Sequence, residues 1–255
     1  MTRIFVHGNP ETVAVWDPLL TELERAGSPR SEVICSSPPG FGAPLPPGFG
    51  ATVGEYRDWL AGELARFPEP VDLVGHDWGG GHVMTVAMNR PDLVRSWVTD
   101  AIGIFDQDYV WHELAQIWQT PGAGESFVAE MFGGDVEARA AKLLEAGMGP
   151  SVAEQVALGQ NQAMGEAVLA LYRSAAQPVM AELGRNLEAA AQRPGLALLP
   201  TEDHYVGTDE QRLRAARRAG ARVAPLEGLG HWWMTQDPAR GARILIDWWT
   251  SLDSQ

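Results

Sequence analysis

Short apolar runs alternate with longer amphipathic stretches along most of the chain. The runs fall at Arg3 to Val6, Glu32 to Cys35, Val71 to Val74, Ser96 to Thr99, Leu196 to Leu199 and Arg222 to Pro225, and they read as buried parallel strands. Helical periodicity occupies Asp17 to Ala26, Val53 to Arg66, Gly81 to Asn89, Thr208 to Ala219 and Pro238 to Leu252. This alternation predicts an α/β protein with a doubly wound, mostly parallel sheet. Between about Ile104 and Arg193 the rhythm breaks. Ala, Glu, Gln and Met dominate there and no strand pattern is visible, so residues 104–193 read as a helical insertion in a core formed by residues 1–103 and 194–255. The Pro-rich stretch from Ser37 to Gly50 reads either as an ordered cluster of surface turns or as a loop that touches a ligand.

A chain of 255 residues fits one such domain with its insertion. Acidic residues outnumber basic ones by 33 to 19, a net charge of −14, and the resulting field repels phosphate backbones and anionic lipid surfaces. Neither nucleic acid nor membrane is expected as a partner. The single cysteine, Cys35, allows no intrachain disulfide, and the first residues read as a strand rather than a signal peptide, which predicts a cytoplasmic location. No Cys or His spacing suggests a metal site and no phosphate-cradling Gly loop is present, so no cofactor is expected.

The densest chemical signal is Gly75-His76-Asp77-Trp78-Gly79, at the end of a predicted strand and the start of a predicted helix. It has the form of a nucleophile elbow, with small residues two positions either side of the central side chain because the turn brings strand and helix backbones together. Asp77 could otherwise simply cap the helix. His231, in Gly230-His231-Trp232, follows the last predicted strand, and Asp203, in Thr201-Glu202-Asp203-His204, follows the one before it. Both can reach the carboxyl edge of the sheet, in the chain order nucleophile, acid, base. Asp100, after the strand that precedes the insertion, is a rival for the acid.

On these residues the chain resembles the α/β-hydrolase superfamily, and within it the aspartate-nucleophile branch of haloalkane dehalogenases and epoxide hydrolases. The resemblance spans nearly the whole chain. It implies a helical cap over residues 104–193 and a sheet shortened at its N-terminal side, because family members usually carry two strands before the one leading into His7-Gly8-Asn9-Pro10. A carboxylate nucleophile selects the chemistry. Serine attacking a saturated carbon would give an ether that water cannot readily cleave, whereas aspartate gives an ester that can be hydrolysed. Asp77 would form that ester, His231 polarised by Asp203 would activate water against it, and the backbone N–H groups of Asn9 and Trp78 would hold the oxyanion.

Two leaving groups fit. A halide needs weak, well-aimed donors, and the resemblance assigns them to the Asn9 amide and the Trp78 indole. An epoxide oxygen needs an O–H donor, and Tyr172 is similar to one of the paired cap tyrosines of epoxide hydrolases. The position of its partner, just before Trp118, holds Ile117. The Gly230-His231-Trp232 context is the more epoxide-hydrolase-like. The substrate is therefore expected to be a small apolar haloalkane, with an epoxide as the alternative, and a receptor of the same fold is a third reading. Tyr109, Trp111, His112 and Trp118 could line the mouth of the pocket or pack within the cap, and Glu11, beside the oxyanion loop, is expected to be solvated.

Overall fold

The computed structural model describes residues 1–253. Its first half runs β1 (Arg3–Val6), α1 (Asp17–Arg25), β2 (Val33–Ser36), α2 (Val53–Leu64), β3 (Val71–Gly75), α3 (Trp78–Asn89) and β4 (Val94–Thr99). Six helices follow: α4 (Glu113–Gln119), α5 (Ala123–Phe132), α6 (Val136–Glu145), α7 (Pro150–Gly159), α8 (Gln162–Ser174) and α9 (Val179–Leu183). The chain then returns through β5 (Gly195–Pro200), α10 (Asp209–Arg218), β6 (Arg222–Leu226), α11 (Trp233–Gln236) and α12 (Pro238–Asp253). Between β4 and β5 no strand occurs among the described residues.

The strands form one parallel sheet in the order β2-β1-β3-β4-β5-β6. Side chains alternate across it, as the period-two backbone requires. Phe5, Val74, Val98, Leu196 and Leu198 face one side, where α1 and α12 bring Leu19, Leu23, Leu245 and Trp249. Ile4, Val6, Leu73, Trp97, Ala197 and Leu199 face the other, against Leu60 of α2, Val83 and Val86 of α3, and Ala215 of α10. Capping boxes at Thr52 with Glu55 and at Thr208 with Gln211 fix the starts of α2 and α10.

The outer strands depart from the expectation of burial. Ile34 in β2 is 43% exposed and Val223 in β6 is 38% exposed, since an edge strand has a neighbour on one side only. The Ser37 to Gly50 segment is an ordered turn cluster: Phe41 is buried against Tyr56, whose hydroxyl donates to the Pro39 carbonyl at 2.7 Å. No described helix is long and apolar enough to cross a membrane.

Two glycines test this packing with opposite signs. A Cβ at Gly195 would lie 2.0 Å from the Trp97 ring, whereas one at Gly62, on the exposed side of α2, meets nothing. Gly195→Ala should destabilise the protein by about 1–3 kcal/mol through overpacking, and Gly62→Ala should stabilise it by about 0.5–1 kcal/mol through helix propensity, both read from urea unfolding.

Candidate active site

The elbow is built by close backbone approach. Asp77 sits at φ 50° and ψ −126°, a strained conformation for a side chain other than glycine. A Cβ at Gly79 would fall 2.0 Å from the Val6 carbonyl oxygen, and one at Gly75 would fall 2.5 Å from the Gly80 Cα. The glycines flanking Asp77 are thus required sterically. Helix α3 begins at Trp78, three residues earlier than its periodicity predicts, because the Gly79-Gly80-Gly81 run is helical rather than turn.

Both oxygens of Asp77 are placed. Oδ1 accepts a hydrogen bond from the backbone N–H of Asn9 at 3.0 Å and lies 3.5 Å from the Asn9 side-chain nitrogen. Gly8 makes room for it, since a Cβ there would meet Oδ1 at 2.1 Å. Oδ2 faces His231 Nε2 at 3.8 Å. Burial pushes the Asp77 carboxyl up to about 6, against the opposing pull of His231 and His76. On its far side His231 contacts Asp203 through Nδ1, at 2.9 Å from Oδ2. Burial alone would raise the Asp203 carboxyl, but His231 and the Tyr205 N–H hold it at about 2. Despite its own burial, His231 is made more basic than free histidine by Asp203.

Asp100 is engaged elsewhere. Its carboxylate contacts His76 Nδ1 at 2.6 Å and accepts hydrogen bonds from the Asp77 backbone N–H at 2.9 Å and the Trp233 indole at 2.7 Å. His76 Nε2 lies 2.9 Å from Glu11. Glu11 also accepts from the Gly8 N–H and the Trp232 indole, and it is fully buried. The expected solvated position of Glu11 is thus incorrect, because the side chain turns inward to meet a charge that the sequence pattern did not reveal. Burial opposes ionisation of both groups, yet each charge supports the other. His76 is held well above the range of free histidine, and Glu11 is lowered to about 2. Glu11, His76 and His231 lie close enough to one another to share a cation. Both ring nitrogens of His76 and Nδ1 of His231 are already hydrogen-bonded to carboxylates, so this set serves its own charges.

Asp77 and His231 open onto a cleft of about 670 Å³. Asn9, His112, Trp118, Tyr172 and Tyr205 are among its walls, and no residue of the Ser37 to Gly50 cluster is. The Tyr172 hydroxyl, kept protonated by burial and by Asp77, accepts a hydrogen bond from the Asn9 side-chain amide at 3.4 Å. The Trp118 indole N–H is buried without a partner. His112 is lowered to about 4 by burial and by His231, and its Nδ1 accepts from the Ala115 N–H at the start of α4. Trp78 and Trp111 border a small adjoining cavity instead, and Tyr109 is a packed residue whose hydroxyl donates to the Tyr205 carbonyl. Tyr205 has no signature in the sequence pattern. Its ring packs edge-on against His231 at 5.1 Å, and only the fold of the loop after β5 brings it there.

This sheet, carrying an elbow after β3 and a histidine after β6, defines an α/β-hydrolase. A profile of the alpha/beta hydrolase family matches residues 4–244, and the chain belongs to that family. A 2-(acetamidomethylene)succinate hydrolase from Mesorhizobium japonicum is 28% identical over 232 residues, which are 80% of this chain and 81% of that one. The structure of a haloalkane dehalogenase from Bradyrhizobium elkani superposes with a TM-score of 0.74 at 20% identity, covering 99% of this chain and 91% of its own. That of E-2-(acetamidomethylene)succinate hydrolase gives 0.72 at 20% identity, over 97% and 90%. At these identities the structural likeness is one of fold.

Glu11→Gln should cost about 1–3 kcal/mol, because His76 keeps Asp100 but loses its second carboxylate, and the buried Gly8 N–H and Trp232 indole lose a charged acceptor. The Glu11 carboxyl is depressed on folding from 4.5 to about 2, so its stabilisation is complete above about pH 4.5 and disappears as pH falls towards 2. Urea unfolding should show that acid loss in the wild type, with a shallower slope in Glu11→Gln.

Proposed function

We propose that this hydrolase works at a saturated carbon through an ester of Asp77, and that its leaving group is a halide, so that a haloalkane and water give an alcohol and halide. The observation that carries the reading is the disposition of the Asp77 carboxylate, one oxygen on the Asn9 N–H and the other opposite His231. In the first step Oδ2 attacks carbon and the carbon–halogen bond breaks, its electron pair leaving with the halide. In the second, His231 takes a proton from water, the hydroxide adds to the Asp77 carbonyl carbon, and the charge developing on Oδ1 stays on the Asn9 N–H. Collapse breaks the Cγ–Oδ2 bond and expels the alkoxide, which recovers the proton from His231, and the Asp77 carboxyl, now carrying an oxygen from water, loses its proton to solvent. Asp203, ionised throughout, steadies the imidazolium.

Two side-chain N–H donors on the cleft support a halide, the Asn9 amide and the unpartnered Trp118 indole, and the Trp78 indole borders the adjoining cavity next to Asp77. One observation favours an epoxide instead. The Tyr172 oxygen already accepts from Asn9, which leaves its own proton to donate, and Tyr205 puts a second phenol on the same cleft although position 117 is isoleucine. In that reading the opened oxirane oxygen takes the proton of Tyr172.

His231→Phe should accumulate the ester on Asp77, visible by mass spectrometry. A bromoalkane would add only its alkyl group, whereas styrene oxide would add its entire mass. Asn9→Ala should reduce halide release by about 10²–10³-fold, the usual cost of one lost charge-stabilising donor. Tyr172→Phe should spare halide release, and collapse of halide release in that variant would count against the halide reading. Alkylation requires ionised Asp77, so its rate should rise with pH through a midpoint of about 6. The midpoint should move upward in His231→Phe, where a neighbouring positive charge is lost.

A further inference from the structure

The wall of the cleft contributed by α6 differs in charge from the rest of the molecule. Arg139, Lys142, Leu143 and Ala146 all line it. Their spacing of three, four and seven residues sets them on one face of the helix and its last turn. Lys142 is the only lysine in the chain. Two cations therefore stand on a cleft whose single lining carboxylate is Asp77, in a protein with a net charge of −14.

Neither cation is neutralised by a close partner. Arg139 is held by carbonyls, donating to Gly134 at 2.7 Å and to Ala157 at 3.3 Å, and no ion pair to it is present among the described residues. These bonds fix the guanidinium on the α6–α7 pair without removing its charge. Among the described residues Lys142 has a single carboxylate within reach, Glu130, at 3.9 Å, and the two side chains are 52% and 81% exposed. An exposed pair of that length contributes little. Leu114, Trp118, Met131 and Leu143 supply apolar wall to the same cleft.

We propose that the substrate is amphipathic: its reactive carbon meets Asp77, its alkyl body lies along the apolar wall, and a carboxylate at its other end is held by Lys142 and Arg139. The assignment rests on the Asp77 ester reading for the reactive end only. Cations clustered in a cleft recruit an anion that the molecule's overall charge would repel, and arginine and lysine bind carboxylates through charge-assisted hydrogen bonds. Any halide or alkoxide released would leave the carboxylate still bound, so the product is an ω-hydroxy acid or a dihydroxy acid.

The test compares ω-bromohexanoate with its methyl ester, which has the same reactive carbon and no charge. At low ionic strength kcat/KM for the acid should exceed that for the ester by about tenfold or more. The ratio should fall towards one in Lys142→Met or at high salt, and below one in Lys142→Glu. Equal turnover of acid and ester by the wild type, or a preference unchanged in both variants, would overturn the proposal. Binding separates this outcome from failure of the chemistry. The quenching of tryptophan fluorescence by ω-hydroxyhexanoate, with hexan-1-ol as the uncharged control, needs no reaction. If neither bromide reacts but the hydroxy acid binds better than the alcohol, and does so only while Lys142 is present, the carboxylate site stands and the Asp77 ester does not. If the methyl ester releases bromide and the hydroxy acid binds no better than the alcohol, the reverse holds.

Discussion

His76 is an imidazole with a carboxylate on each ring nitrogen and no exposed surface. Glu11 arrives from the loop after β1 and Asp100 from the end of β4, while His76 itself belongs to the turn between β3 and α3. Three neighbouring strand ends are thereby tied to one charge. Each carboxylate also extends the tie: Glu11 to the Gly8 N–H and the Trp232 indole, Asp100 to the Asp77 N–H and the Trp233 indole. The loop that supplies the Asn9 N–H, the backbone of the strained elbow and the segment following His231 therefore hang on the same buried cluster. A single unpaired member would be costly to keep in such surroundings, which makes the set cooperative.

Above that cluster, similar carboxyl groups are given different tasks by their surroundings. Asp203 is held ionised by its imidazole partner and a backbone N–H, and Asp77, whose imidazole and side-chain donors stand farther off, is the one that burial disturbs. A carboxylate that is incompletely stabilised in the resting protein retains more of its nucleophilic character than one saturated with donors. The geometry also divides the two oxygens of Asp77, one anchored and one facing the cleft. A hydrolysis that passes through an ester needs that division, since one oxygen must carry the transient charge while the other bonds to the substrate carbon and departs with it when the ester is cleaved.

The fold was readable in the sequence because its signals are local. Runs such as Val71 to Val74 and periodic stretches such as Pro238 to Leu252 describe their own structure, and Gly75 and Gly79 announce a close approach whatever surrounds them. His231 and Asp203 were legible for a related reason, as each follows directly on a strand whose end must lie at the sheet's carboxyl edge. The residues that escaped are those whose meaning depends on a distant partner. Glu11, three residues beyond Gly8 in a loop, looks solvated until His76 is brought against it. Tyr205 is one aromatic among many until its loop folds onto His231. Arg139 and Lys142 read as the polar face of an ordinary helix, and it is the docking of α6 that turns this face towards Asp77.

The same α6 face has a practical corollary. Because Lys142 is the chain's sole lysine and lines the cleft, reagents directed at side-chain amines have one address, the wall of the cleft that Asp77 shares. With the α-amino group blocked, coupling the protein to an amine-reactive surface would orient it with that cleft obstructed. A small fluorophore attached there would instead sit where arriving molecules pass, a reporter position that needs no engineered cysteine.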